Sequence, residues 1–151
     1  MKLGLISDTH GLLRDNAVTA LRGSGLIVHA GDVGNARILD ALRALAPLVA
    51  VRGNVDTGAW AAALPPTAQA QVGSARIYVI HDIHDLKIDP AAEGFNLVIS
   101  GHSHKPASMA RNGVLFLNPG AAGPRRFRLP ITVGTVELDS APWEMRLIDV
   151  A

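Results

Sequence analysis

Five times between Lys2 and His102 a short apolar run breaks off at an acid, an asparagine or a histidine. The runs are Lys2 to Ile6, "LIVHAGD" (Leu26 to Asp32), "LVAVRGN" (Leu48 to Asn54), "ARIYVIH" (Ala75 to His81) and "FNLVISGH" (Phe95 to His102). Apolar stretches of that length, bounded by glycine or polar residues, read as buried strands. Two intervening segments carry helical spacing instead: Ala17 to Arg22, stopping near Gly23, and "ARILDALRAL" (Ala36 to Leu45), closed by Pro47. Strands alternating with helices predict an α/β fold. From Ala107 onward the pattern changes to short strands joined by turns, at "GVLFLNPG", "ITVGTVEL" and "WEMRLIDV", which predicts an antiparallel second sheet.

At 151 residues the chain has the usual size of one compact domain, and it is read as a single domain over 1–151. A net charge of +1 provides no general attraction to nucleic acid or to an anionic membrane, so any recognition of anions must be local. With no cysteine there are no disulfides and no thiolate metal sites. No apolar run is long enough to span a membrane, and the stretch before the first polar turn is too short for a signal peptide. A cytoplasmic protein is the expectation.

The polar residues that end the runs form the chemical pattern. Asp8 and His10 follow the first strand, Asp32 the second and Asn54 the third; His81 ends the next, and His102 with His104 follow the last. In open α/β sheets the ligand crevice lies outside the carboxyl ends of the strands, so residues distant in sequence converge there. Imidazole, carboxylate and amide together suit divalent first-row metals. Seven such donors exceed what one ion needs, and two ions sharing a bridging carboxylate and a water, about 3.5–4 Å apart, would use them all. Glycines 31, 53 and 101 permit tight turns or close backbone approach beside these donors.

The ordered blocks "DTH" (Asp8 to His10), "GD" (Gly31, Asp32), "GNVD" (Gly53 to Asp56), His81 and "GHSH" (Gly101 to His104) resemble the calcineurin-like metallophosphoesterases. The short chain and the late "NPGAAGPR" (Asn118 to Arg125) are most similar to their compact prokaryotic phosphodiesterases, which lack a cap. The resemblance implies a four-layer αββα sandwich of two mixed sheets flanked by helices. By the same resemblance Asp8, His10 and His104 would hold one ion, Asn54, His81 and His102 a second, and Asp32 would bridge them. Mn2+ is the implied metal, with Ni2+, Fe2+ or Zn2+ as alternatives. The implied reaction is hydrolysis of a small phosphodiester by a metal-bridging hydroxide. A homo-oligomer is also implied.

Three positions depart from the family pattern. Val55 stands where larger relatives carry a histidine that assists the leaving group, "HDIH" (His81 to His84) replaces a His-Gly-His block, and Ala121 replaces a serine. His81 takes the ligand role and His84 reads as a rim or surface residue. His29, inside an apolar strand, reads as a buried, hydrogen-bonded histidine rather than a ligand. Asp56 would orient a ligand or fix its loop. In "RRFR" (Arg125 to Arg128), Arg125 is the candidate for a substrate contact, and the remainder reads as a solvated loop or an oligomer contact. Trp60 and Trp143 read as core, with an interface as the alternative. Two rivals to the enzyme remain: a non-catalytic interaction module on the same fold, and a metal-dependent nuclease. A basic surface extended enough for a polynucleotide is not evident.

Overall fold

The computed structural model describes residues 1–151. Ten strands form two five-stranded mixed sheets that face one another. In chain order they are β1 (Lys2–Ile6), β2 (Leu26–His29), β3 (Leu48–Ala50), β4 (Thr67–Val72), β5 (Ala75–Ile80), β6 (Leu97–Ile99), β7 (Ala107–Arg111), β8 (Val114–Asn118), β9 (Thr132–Glu137) and β10 (Met145–Asp149). The first sheet has the order β10-β9-β1-β2-β3 and the second β4-β5-β6-β8-β7. Two helices, α1 (Asp15–Leu21) and α2 (Ala36–Arg43), lie on the outer face of the first sheet.

Strand alternation assigns each side chain to a layer. On β1, Leu3 and Leu5 point between the sheets, where they meet Ile77, Val79, Leu97 and Ile99 of β5 and β6. Ile6 points the other way, toward Leu21 of α1 and Leu42 of α2. Asn35 caps α2 by accepting from the Ile38 amide at 3.3 Å, and Ile38, Leu39 and Leu42 form its buried stripe. Removing a fully buried side chain such as Leu42 by substitution with alanine costs about 2–5 kcal/mol. The outer face of the second sheet carries a smaller cluster, Tyr78, Ile80, Phe95, Val98 and Val114, covered by the 82–96 loop rather than by a long helix. That outer layer is thin, and the α/β architecture of two mixed sheets is as expected.

The expectation of an antiparallel second sheet after Ala107 needs correcting. β9 and β10 return to the first sheet as an antiparallel pair beside β1, while β8 joins the second sheet parallel to β6, with β7 antiparallel at its edge. Apolar runs show that a segment is a strand, but its partner is a long-range choice. Two strands also lack a run. "TAQAQV" (β4) and "ASMAR" (β7) are edge strands rich in small or polar residues, and β4 turns Ala68, Ala70 and Val72 to the intersheet core while its glutamines face outward.

The consequence for function is geometric. β1, β2 and β3 are parallel in one sheet, β5, β6 and β8 in the other, and the loops at their carboxyl ends meet along one rim.

Candidate metal centre

The rim holds two groups of ligand atoms: Asp8, His10 and His104, and Asp32, His81 and His102, each with its atoms within 4.8 Å of one another. Asn54 lines the cleft beside His81. All seven residues expected from the sequence are thus brought to one place, and both sheets contribute.

Each group owes its shape to hydrogen bonds that occupy one side of a ligand and free the other. Asp8 is fully buried; its Oδ2 accepts from the Ser7 hydroxyl at 2.7 Å and from the His102 amide at 3.1 Å. Its Oδ1 has no partner and faces Nε2 of His10 at 3.7 Å and Nε2 of His104 at 3.5 Å. Asp32 is 4% exposed; its Oδ1 accepts from the Val55 amide at 3.0 Å. The other oxygen, Oδ2, faces Nε2 of His10 at 3.5 Å and Nε2 of His81 at 3.2 Å, so this one atom joins the two groups. His81 donates its Nδ1 proton to the Ala30 carbonyl at 2.7 Å, which leaves Nε2 as a lone pair aimed into the centre.

Most of these separations are longer than hydrogen bonds and match ligands that share an ion. Good N–H···O bonds lie at about 2.7–3.2 Å, whereas two donors on one ion, each about 2.1 Å from it, stand about 3–3.6 Å apart. Asp8 Oδ1, His10 Nε2 and His81 Nε2 are buried polar atoms with no hydrogen-bond partner, and all three point into the cluster. A buried polar atom without a partner costs about 1–3 kcal/mol, so several aimed at one point call for a shared counterpart. A divalent cation is the counterpart that fits three acceptors of this kind. Asp8, His10 and His104 would hold one ion; Asn54, His81 and His102 would hold another, with Asp32 between.

The electrostatics agree. Asp8 holds the His10 imidazole above its usual value. Burial works against a charged His81, yet Asp32 and the Ala30 carbonyl raise it. Burial pushes Asp32 up, but the facing His81 and the Val55 amide outweigh it and the carboxyl falls to about 2. Burial lowers His104. Without a metal, protons take the place of cations beside Asp8 and Asp32, and acid weakens metal binding by that competition.

Close approach explains the glycines. A Cβ on Gly53 would overlap Oδ1 of Asp32, one on Gly101 would strike Ser7 and stand 2.6 Å from Oδ2 of Asp8, and one on Gly31 would stand 2.6 Å from Nδ1 of His81. The backbone of the ligands themselves is less expected. Asp8, His10, Asp32, His102 and His104 all have positive φ, between 46° and 71°. Non-glycine residues rarely occupy that left-handed region, and such conformations concentrate at functional sites.

Several supporting residues were not visible as such in the sequence. Ser7 orients Asp8, and Asn118 of "NPG" donates to the Gly101 carbonyl at 3.0 Å and to Ser103 at 3.2 Å, fixing the "GHSH" turn. Their signal was only adjacency to a ligand block. Asp56 fixes its loop: its carboxylate accepts from the amides of Val33, Gly34 and Gly53 and ties the "GD" turn to the "GN" turn. His29 is fully buried as read; its Nδ1 accepts from the Gly31 amide and its Nε2 donates to Thr9, while burial lowers it to about 4. Exposed His84 bonds Asp82 rather than the centre. Trp60 and Trp143 pack against the two large cores. Arg125 donates to the Leu129 carbonyl at 3.1 Å within its own loop, and the arginine whose charge reaches His10 and His104 is Arg126.

The profile of the calcineurin-like phosphoesterase superfamily domain matches residues 1–141. The chain belongs to that superfamily. A probable metallophosphoesterase of Methanothermobacter thermautotrophicus is 30% identical over 98% of this chain and 92% of its own length. Among solved structures, one described as a novel archaeal phosphodiesterase superposes with a TM-score of 0.80 at 21% identity, covering 98% of this chain and all of that one. Vps29 of Chaetomium thermophilum superposes with a TM-score of 0.78 at 18% identity, covering 99% and 95%. At such identities these two likenesses establish the fold alone. Membership in the metallophosphoesterases implies divalent metal ions, in agreement with the two ligand groups, and a phosphohydrolase.

Proposed function

We infer that the protein hydrolyses small phosphodiesters at a centre of two divalent ions. The observation that carries this reading is Oδ2 of Asp32, placed 3.5 Å from His10 of one ligand group and 3.2 Å from His81 of the other. When bound, two such ions supply Lewis acidity and lower the pKa of water to near neutrality. The donor set, imidazole and carboxylate without thiolate, is compatible with Mn2+, Ni2+, Fe2+ or Zn2+, and the family resemblance puts Mn2+ first.

The chain's own residues do the positioning. Ser7 and the His102 amide fix Asp8, Ala30 fixes the His81 ring, and Asp56 locks the two turns that carry Asp32 and Asn54. In hydrolysis one P–O bond forms to a water oxygen and the ester P–O bond breaks, and the departing alcohol must acquire a proton. Val55, 47% exposed at the rim, cannot give one. Asp82, the nearest rim acid, is pushed up by burial, but hydrogen bonds from His84 outweigh this and hold it below the usual carboxylate range, so it is ionised at neutral pH. Esters whose alcohol leaves without help are therefore the preferred substrates.

An interaction module on this fold is the rival reading, supported by the likeness to Vps29. The complete ligand set favours catalysis. The test uses metal-stripped protein with Mn2+, Ni2+, Fe2+, Zn2+ or Mg2+ restored, assayed on bis(4-nitrophenyl) phosphate and 4-nitrophenyl phosphate while bound metal is counted. Diester turnover exceeding monoester turnover at two ions per chain is expected. Folded protein that turns over neither with any metal would transfer the assignment to the interaction module.

A further inference from the structure

We propose that the loop around Phe127, with Lys105 opposite, is a second substrate subsite that binds a flat ring and an additional phosphate. The substrates it selects are short nucleotide-like diesters. The proposal rests on the phosphodiesterase reading and specifies its substrate class.

Ser103, Lys105, Arg126, Phe127, Arg128 and Leu129 line one open cavity of about 890 Å3, within the range that holds a small ligand. Its position links it to the centre. Ser103, part of the lining, stands between the ligand candidates His102 and His104. The loop is also anchored there, because the Gly123 amide donates to the Asp8 carbonyl at 3.2 Å.

The lining has the chemistry of an anion site. It contains three cations and no carboxylate, and none of Lys105, Arg126 and Arg128 forms an ion pair. Guanidinium groups bind phosphate in a bidentate fork. A solvated basic loop alone would have no use for what stands in its middle. Phe127 is 86% exposed and has a φ of 54°, a conformation in which a bulky residue is an outlier. Two hydrogen bonds hold it there: Arg125 to the Leu129 carbonyl at 3.1 Å, and the Leu129 amide to the Arg126 carbonyl at 3.2 Å. The loop thus presents an exposed aromatic side chain and two arginines to one cavity beside the metal-ligand loop. A base stacked on the ring, with a phosphate on the arginines and Lys105, uses each of these features. A net charge of +1 offers no continuation for a polymer.

The test compares three diesters with wild type and with Phe127→Leu, Arg128→Ala and Lys105→Ala: methyl 4-nitrophenyl phosphate, ApA and 5′-phosphorylated pApA. Binding of pApA to metal-stripped protein is measured separately by calorimetry. In wild type, kcat/KM should favour pApA over ApA, and the methyl ester, whose nitrophenolate leaves without a proton, serves as the reference for turnover at the centre itself. Phe127→Leu should reduce the ApA-to-methyl-ester ratio about tenfold, the worth of one stacked base. Arg128→Ala and Lys105→Ala should abolish the advantage of pApA over ApA. Unchanged ratios in all three variants, with the methyl ester still cleaved by wild type, would overturn the subsite and leave the diesterase standing. If wild type cleaves no diester with any metal, the diesterase reading fails and calorimetry decides. Binding of pApA weakened in the variants would retain the subsite, and equal binding would remove it.

Discussion

The two halves of the metal centre are built to different standards. In the half made by Asp8, His10 and His104, two of the three side chains are essentially buried and His10 is 21% exposed. In the other half the His102 side chain is 42% exposed, Asn54 is exposed, and Val55 beside it faces solvent. Asp8 has one oxygen fully committed to Ser7 and His102, so its second oxygen is fixed in direction. Nothing comparable restrains Asn54. The buried half is organised by its own hydrogen bonds, whereas the exposed half would gain part of its order from a bound ion. Preorganisation of ligands by their hydrogen-bond partners raises affinity, so the buried half should hold its ion more tightly and exchange it more slowly.

The substitution that would damage both halves together is Asp32→Asn, since Asp32 alone spans them. Metal counting should show both ions lost or weakened, and turnover should fall more than about 100-fold, beyond the range typical of residues that only support a ligand. Loss of a single ion with the other unaffected would show the halves to be independent.

Acid should strain the support beneath the buried half. His29 is neutral in the fold, its Nδ1 accepting from Gly31, with its value lowered to about 4 from 6.5. The unfolded chain therefore binds the proton first, so the contribution of His29 to stability is full above about pH 6.5 and declines toward pH 4, opposite in sign to those of His10 and His81. The span corresponds to about 3 kcal/mol. Urea unfolding of metal-stripped protein at several pH values should show this slope, and His29→Asn, although less stable at neutral pH, should show a shallower one. Equal slopes would acquit His29.

Ser7→Ala separates the halves more gently. It removes one of the two bonds to Oδ2 of Asp8, and calorimetric titration with Mn2+ should find the tighter site weakened about tenfold and the looser one unchanged. The smallest effect belongs to the open half. Val55→His places an imidazole at the rim without any group to orient it, so it should recover only a little of what a positioned acid provides, about threefold in the monoester-to-diester ratio. No change in that ratio would remove the leaving-group argument.

The contrast also marks where sequence was informative. Strand ends were legible because β1, β2, β5 and β6 are apolar and stop at glycine or polar residues. The ligands followed from those stops. β4 and β7 escaped because an edge strand needs little hydrophobicity, and the return of β9 to β1 escaped because pairing is set by the three-dimensional core. Arg125 was chosen for its closeness to "NPG" along the chain, and a one-dimensional pattern could not show that its side chain bonds the Leu129 carbonyl of its own loop. Nothing in a one-dimensional pattern reports a φ angle, so the shared backbone conformation of five ligands was not foreseeable.

That shared conformation sets a limit on improving the protein. Glycine would relax Asp8, His10, Asp32, His102 or His104, since it alone adopts positive φ without steric penalty, yet glycine carries no donor. Aspartate and histidine are among the few side chains that tolerate the region at all. Selection for thermal endurance and selection for chemistry therefore pull the same codons in opposite directions. A lineage freed from the need to hold metal could toughen its fold by discarding the very loops that once made it useful.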